Sequence, residues 1–246
     1  MSKPEYHQSA LKHYTKCAKM FNLAKDHVPE FSAGTENVMR EGQLFEGYVL
    51  GFKANKNEKE LIGRKKEETI NAIKAQAEIA KKCICEGGQS YVKLFYELPE
   101  YSLAGEADHL GQLDWNYIRS IHPGAMDTGE SINDLKYTGA IDRVWYGKNT
   151  FADYLQALMY VGIYYFNTGK NLPFIFLVVE GQYDNPLIHI DKVFVSVSDI
   201  EQKLIPFIER VHNDLFYNPH ASFESCLGGK GGGRCWFLPH CKEGRA

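Results

Sequence analysis

No run of about eighteen apolar residues occurs anywhere in the 246-residue chain, which excludes a membrane-spanning helix. The opening Met-Ser-Lys-Pro-Glu-Tyr-His also lacks an apolar signal segment, so the expected compartment is the cytoplasm. A basic excess is missing too. With 28 Lys and Arg against 31 Asp and Glu the net charge is −3, so the composition carries no global attraction for nucleic acid, although a local basic groove is compatible with it. Cysteine is sparse, with six in the chain, and in a reducing compartment these are thiols or metal ligands rather than disulfides. No internal repeat occurs. What is present, 44% apolar and 24% charged residues, suffices for one sizeable core, and a single domain over 1–246 is expected.

The most informative stretch runs from Gly105 to Tyr160. It contains Gly-Glu-Ala-Asp-His-Leu-Gly at 105–111, Asn-Asp-Leu-Lys-Tyr-Thr-Gly at 133–139 and Gln-Ala-Leu-Met-Tyr at 156–160. A strand over Ser131–Tyr137 alternates its faces, so Asp134 and Lys136 share one face while Leu135 points into the core. Thr150 to Asp153 reads as a capping box opening a helix, on which Gln156 and Tyr160, four residues apart, stack over one another. An Asp-x-Lys alone is most often an exposed strand. The ordered set along a strand, strand, helix sequence is far more specific.

Elsewhere the pattern gives a coarse frame. Leu11, Tyr14, Ala18 and Phe21 predict an amphipathic helix over 9–26, residues 28–40 read as a loop, and Arg40–Leu50 as a helix entering the core. Glu46 lies among apolar neighbours there, either as an exposed helix edge or as a partly buried carboxylate that wants a partner or a metal. Lysine-rich 53–66 is a solvated connection, and apolar spacing predicts a helix over 60–84, where Cys83-x-Cys85 is read as thiols. Tyr91–Leu98 and Tyr101–Leu110 predict a hairpin, 111–130 a long spacer, Ile132–Lys136 and Ala140–Trp145 strands, 150–166 a helix and Phe174–Val179 a doubly buried strand. A strand over Val193–Val197 and a helix from Ser198 to about 213, capped through Glu201 and disturbed by Pro206, follow. The tail holds Cys226, a glycine run, Cys235 and Cys241; the run lacks the Gly-Lys-Ser/Thr ending of a nucleotide loop.

On Gly105/Asp108, Asp134/Lys136 and Gln156/Tyr160 the chain resembles the PD-(D/E)xK nuclease superfamily, in particular its RecB-like exonuclease branch, which includes CRISPR adaptation nucleases and many phage exonucleases. The resemblance implies an α/β fold with a restriction-endonuclease-like core, a central mixed β-sheet flanked by helices. It implies a metal-dependent DNA exonuclease working in recombination, repair or phage replication, in the cytoplasm or a host's cytoplasm. Asp108, Asp134, the Leu135 carbonyl and Glu46 would hold Mg2+ or Mn2+, which suits the hard-oxygen chemistry of phosphodiester hydrolysis. Lys136 would orient or deprotonate the attacking water, with burial and the neighbouring cation expected to lower its pKa, and Gln156 and Tyr160 would position the strand or Lys136.

Cys17, Cys226, Cys235 and Cys241 resemble the branch's cluster ligands and would join the chain ends, about 9–26 and 213–246, through a 4Fe-4S cluster; zinc with a His/Cys set including His240, or unligated thiols, are the other readings. The chain departs from the pattern in carrying Ala18 where a proline often follows, and in spacing its last cysteines by eight and then five residues rather than two and five. The implied partners are linear DNA ends, single- or double-stranded, with a recombination or annealing protein and a homo-oligomer as further expectations. Tyr137, Trp145 and Tyr154 are candidate base-stacking residues. The alternatives are an endonuclease on the same site, an inactive nucleic-acid-binding module of the same fold, and a cluster-based redox protein.

Overall fold

The computed structural model describes residues 3–27, 31–139, 141, 151–181, 187–217 and 241. Six strands form one mixed sheet: β1 (Glu5–His7), β2 (Gln89–Glu97), β3 (Ser102–Gln112), β4 (Glu130–Thr138), β5 (Phe174–Glu180) and β6 (Ile188–Val193). Their order is β1-β3-β4-β5-β6, with β2 paired to β3 from its other edge. β2 and β3 are the expected antiparallel hairpin. β4 and β5 run parallel, so the chain must cross over between them, and α7 (Phe151–Thr168) lies in that connection.

Each face of the central strands buries its own cluster. β5 is buried at every position, as its unbroken apolar run requires. Phe174, Phe176 and Val178 join Leu155, Leu158 and Val161 of α7, while Ile175, Leu177 and Val179 pack with Leu44 and Phe45 of α3 (Ala33–Leu50) and Ile73 and Ala77 of α5 (Glu67–Lys81). This α/β arrangement, a mixed sheet flanked by helices, matches the expected class. No described helix is long and apolar enough to cross a membrane.

Several boundaries differ from the sequence expectation for identifiable reasons. The helix expected over 9–26 is two, α1 (Gln8–Lys16) and α2 (Ala18–Asp26), because Cys17 is extended (φ −162°, ψ 119°) and turns its buried side chain toward Met20 and Cys241. The expected loop 28–40 already turns helical at Ala33, where the Ser32 side chain accepts the Thr35 N–H. The helix expected over 60–84 is broken at Gly63, whose φ of 53° suits glycine, into α4 (Glu58–Ile62) and α5.

The 111–130 spacer holds α6 (Trp115–Ile121), capped by Asp114. The last expected strand lies earlier, since β6 pairs its Val193 with Phe174, the first residue of β5, and the ladder ends there. The following cap is Ser196 with Asp199 rather than Ser198 with Glu201, opening α8 (Val197–Asp199). A π-helical turn, Ile200–Leu204, then leads into α9 (Ile205–Tyr217). Its wider turn gives the Pro206 ring room that a regular α-turn denies, so the helix continues past the proline. The strand expected over Ala140–Trp145 and the Thr150 cap lie outside the described residues, except that Ile141 is helical.

Candidate active site

The site grows from an interruption in one sheet edge. β2 runs along one side of β3, while the other side pairs with β1 at Ser102–Ala104 and with β4 at His109–Gln112. Residues 105–108 face neither strand on that side. Backbone left open in this way on β3 and on the facing β4 must find other partners, and here side chains reach both. Asp108 Oδ2 accepts the Leu135 backbone N–H at 2.8 Å, and Tyr160 hydrogen-bonds the backbone of Glu106.

Strand alternation also slips at this point. Leu103, Ala107 and then Leu110 all pack on the α7 side, although strict alternation would turn 107 and 110 to opposite faces. The slip coincides with Tyr91, which stands across from Asp108 on β2 and takes φ 56°, and the pair is missing from the ladder. Asp108 therefore reaches sideways toward β4. Continuing the β3–β4 register from His109↔Asn133 sets Asp108 against Asp134, where the strands part.

On β4, Asp134 and Lys136 share a face as the alternation predicts, and α7 closes over them. The Gln156 amide donates to Asp134 Oδ1, and Lys136 Nζ forms an ion pair with Asp134 Oδ2. Gly105 is required by close approach, since a Cβ there would fall 2.5 Å from Tyr160 Cε1. Thus Asp108, Asp134, Lys136, Gln156 and Tyr160 converge.

Burial raises the Asp108 pKa well above the usual carboxylate range, and the charges of Asp134 and Glu46 add to this; Lys136 and the Leu135 N–H oppose it. For Lys136 burial pulls downward, but Asp134 and Asp108 outweigh it and the pKa is raised. With the two carboxylates as its neighbours the ammonium form is favoured. Tyr160 is pushed up to about 12 by burial and by Asp134, so its phenol keeps its proton.

Glu46 is placed next to this group rather than in it. Its carboxylate meets Lys53 Nζ at 3.1 Å, and Lys53 also pairs with Glu106 at 2.6 Å and lies over the Tyr91 ring. Among the described residues no three His, Cys, Asp or Glu side chains gather as a metal site. The donor set nonetheless suits a hard cation in part. Asp134 Oδ2 is buried without a hydrogen bond of normal geometry. The N–H and C=O of one strand residue point to the same edge, so the Leu135 carbonyl faces the gap that its N–H faces.

No family model matches this chain, and no curated protein matches it. The crystal structure of a putative exonuclease from Eubacterium rectale is similar, with a TM-score of 0.54 and 18% identity over 88% of this chain and 83% of that one. The two share a fold. A second solved structure aligns over 99% of this chain and 88% of its own at a TM-score of 0.44 and 10% identity.

Away from the gap, Cys17 and Cys241 lie in one buried cluster with Met20, so the tail residue Cys241 returns to the α1–α2 junction. Cys226, Cys235, His240 and the glycine run lie outside the described residues. Cys83 is a buried thiol, pushed up to about 12 chiefly by desolvation. Tyr137 is occupied in the core, stacked on Phe45 and donating to Gln76, and Lys203 lies over Tyr154; Trp145 is outside the described residues.

A polar support that the sequence motifs do not single out lies directly behind the acids. His109 follows Asp108 and Asn133 precedes Asp134, both are buried, and Asn133 Nδ2 lies 3.0 Å from His109 Nδ1. Ser131 Oγ donates to Asn133 Oδ1 at 2.8 Å. Polar residues inside otherwise apolar strands were the available signal. Lys53 and Tyr91 carried none, because only the fold brings them to Glu46.

Proposed function

We propose that this chain is a metal-dependent deoxyribonuclease of the PD-(D/E)xK type, RecB-like branch, that hydrolyses phosphodiester bonds from DNA ends. The observation that carries this reading is the meeting of Asp108, Asp134 and Lys136, from two strands that part at that point, under Gln156 and Tyr160. Clustered acids beside a retained ammonium match hydrolysis of an anionic ester better than they match a structural ion pair, because the second buried carboxylate, Asp108, adds repulsion to Asp134 without joining its ion pair with Lys136. The fold shared with the Eubacterium rectale protein supports it.

Asp108, Asp134 and the Leu135 carbonyl would hold Mg2+ or Mn2+, with Glu46 as a further ligand, and the bound ion would activate water and offset charge on the phosphorane. Gln156 fixes the Asp134 carboxylate by donating to one oxygen, leaving the other toward Lys136. Lys136, as an ammonium, orients the incoming water and stabilises negative charge where it develops. Tyr160 keeps the gap in shape by packing on Gly105 and bonding the Glu106 backbone. We further propose that Cys17, Cys226, Cys235 and Cys241 hold a 4Fe-4S cluster joining the chain ends, supported by the common burial of Cys17 and Cys241.

The test is digestion of end-labelled linear and closed circular DNA with Mg2+ or Mn2+ and with chelator, comparing wild type with Lys136→Ala. Metal-dependent loss of linear DNA alone, abolished in the variant, is expected. Cutting of circles would make the enzyme an endonuclease on the same site. Absence of cleavage by folded protein on single and double strands would overturn the enzyme reading in favour of a binding module.

A further inference from the structure

The two faces of the sheet are not covered alike. Among the described residues, helices α3, α5 and α6 pack on the second face over β4, β5 and β6, while on the same face of β1, β2 and the first half of β3 the buried Ser102 and Ala104 form a floor flanked by the exposed or partly exposed Glu5, His7, Lys93, Phe95, Glu97 and Glu106. These form a shelf. The registers order it into rows: Phe95 pairs with Ala104, which pairs with His7, and in the next row Lys93 pairs with Glu106. Phe95 and His7 therefore stand about 10 Å apart at their Cα atoms, two strand spacings, with only the small Ala104 between them. A cleft of about 540 Å3 opens over these residues and extends past Gly105 and Glu106 to Tyr160.

Three observations say what fits. Phe95 is 48% exposed, a large ring left in water beside a cleft. The lysines around it are engaged: Lys3 meets Glu97 at 2.7 Å, and Lys53 is shared between Glu106 at 2.6 Å and Glu46 at 3.1 Å, while Glu5 lies against the His7 ring at 2.7 Å. Lys93 has no ion-pair partner among the described residues, so its ammonium is available to a phosphate. Finally, the cleft shares Glu106, Gly105 and Tyr160 with the candidate active site, so an occupant of one leads into the other.

We propose that this shelf seats a single strand of nucleic acid next to the cleavage site, with one base over Ala104 against Phe95 and a phosphate on Lys93. The proposal deepens the nuclease reading and rests on it for the direction of the strand. Stacking on an exposed ring accepts every base and gives no sequence preference, while Lys93 contributes a salt-dependent contact. A strand seated there must be unpaired, because a base cannot lie over Ala104 while stacked in a duplex.

The experiment measures binding of a fluorescein-labelled short single-stranded dT oligonucleotide to the full chain in chelator, where cleavage plays no part. Variants are Phe95→Ala and Lys93→Ala, both exposed substitutions, with Lys81→Ala on distant α5 as control. Phe95→Ala is expected to weaken binding about tenfold. An oligonucleotide carrying abasic sites should bind wild type more weakly but Phe95→Ala nearly as the intact one does. Lys93→Ala should lower the salt slope by about one.

Wild-type affinity in both shelf variants would overturn the proposal, even if metal-dependent cleavage is found. Loss of binding in both variants, from a protein that cuts nothing, would keep the shelf and remove the nuclease reading instead.

Discussion

The Asp108 carboxylate takes the Leu135 backbone N–H at 2.8 Å and so closes, with a side chain, a ladder that the backbones of β3 and β4 leave open. The same carboxylate carries a raised pKa from burial and from Asp134, so its charge is unfavourable for the fold even though its hydrogen bond is favourable. Function and stability separate at this residue.

Asp108→Asn keeps an oxygen to accept the Leu135 N–H and removes the charge. Cleavage is expected to fall by about a hundredfold or more, through loss of a metal ligand. Stability at neutral pH should stay level or rise by about 1 kcal/mol, because a buried, mutually repelling carboxylate is replaced by a neutral group. Urea unfolding beside the nuclease assay checks both, and a variant that loses activity together with several kcal/mol would contradict the separation.

Gly105→Ala places a methyl group 2.5 Å from the Tyr160 ring. The ring is buried between β3 and α7 and has little room to move, so a cost of about 1–3 kcal/mol is expected, or roughly 2–4 °C in Tm per kcal/mol. In a Tyr160→Ala background the same methyl should cost much less. A double-mutant cycle by thermal melting reads the coupling. Equal costs in both backgrounds would show that the close approach is relieved elsewhere.

His109 is 2% exposed, and burial lowers its pKa below the usual value. The folded state therefore prefers neutral imidazole. Its contribution is fully present above the unfolded value near 6.5 and is lost as pH falls below that toward the depressed folded pKa. Protonation also removes the Nδ1 acceptor that faces Asn133. Urea midpoints should drop between pH 7.5 and pH 5.5 in wild type and drop less in His109→Gln; parallel decline in the two proteins would remove His109 as the cause.

Cys17→Ala tests the junction of the chain ends. Anaerobically prepared wild type is expected to hold about four iron atoms per chain with visible charge-transfer absorbance, and the variant to hold none. A wild type that binds stoichiometric zinc instead would transfer the same thiols to a tetrahedral site.

Much of this protein is legible along the chain because its signals are local. Alternation over Ser131–Tyr137 puts Asp134 and Lys136 on one face, four-residue spacing stacks Gln156 over Tyr160, and the continuous apolar run from Phe174 requires a strand covered on both sides. Local breaks were harder to see. The extended Cys17 and the left-handed Gly63 each divide a segment whose apolar spacing is continuous, since spacing records which face is buried and not whether the backbone turns between two helices.

The tertiary structure alone decided the rest, for a physical reason. A period-two pattern assumes an unbroken strand, and the slip between Ala107 and Leu110 falls where β1 and β4 share one edge of β3 and leave residues 105–108 between them, opposite the left-handed Tyr91. Asp108 is aimed by that gap. Likewise Glu46 meets Lys53 where α3 ends beside β3, and the sign of the Lys136 shift depends on two carboxylates outweighing burial, a balance of distances. By itself the sequence determined which residues carry the chemistry and on which kind of element; their convergence, and the open shelf beside them, depended on how the strands pair.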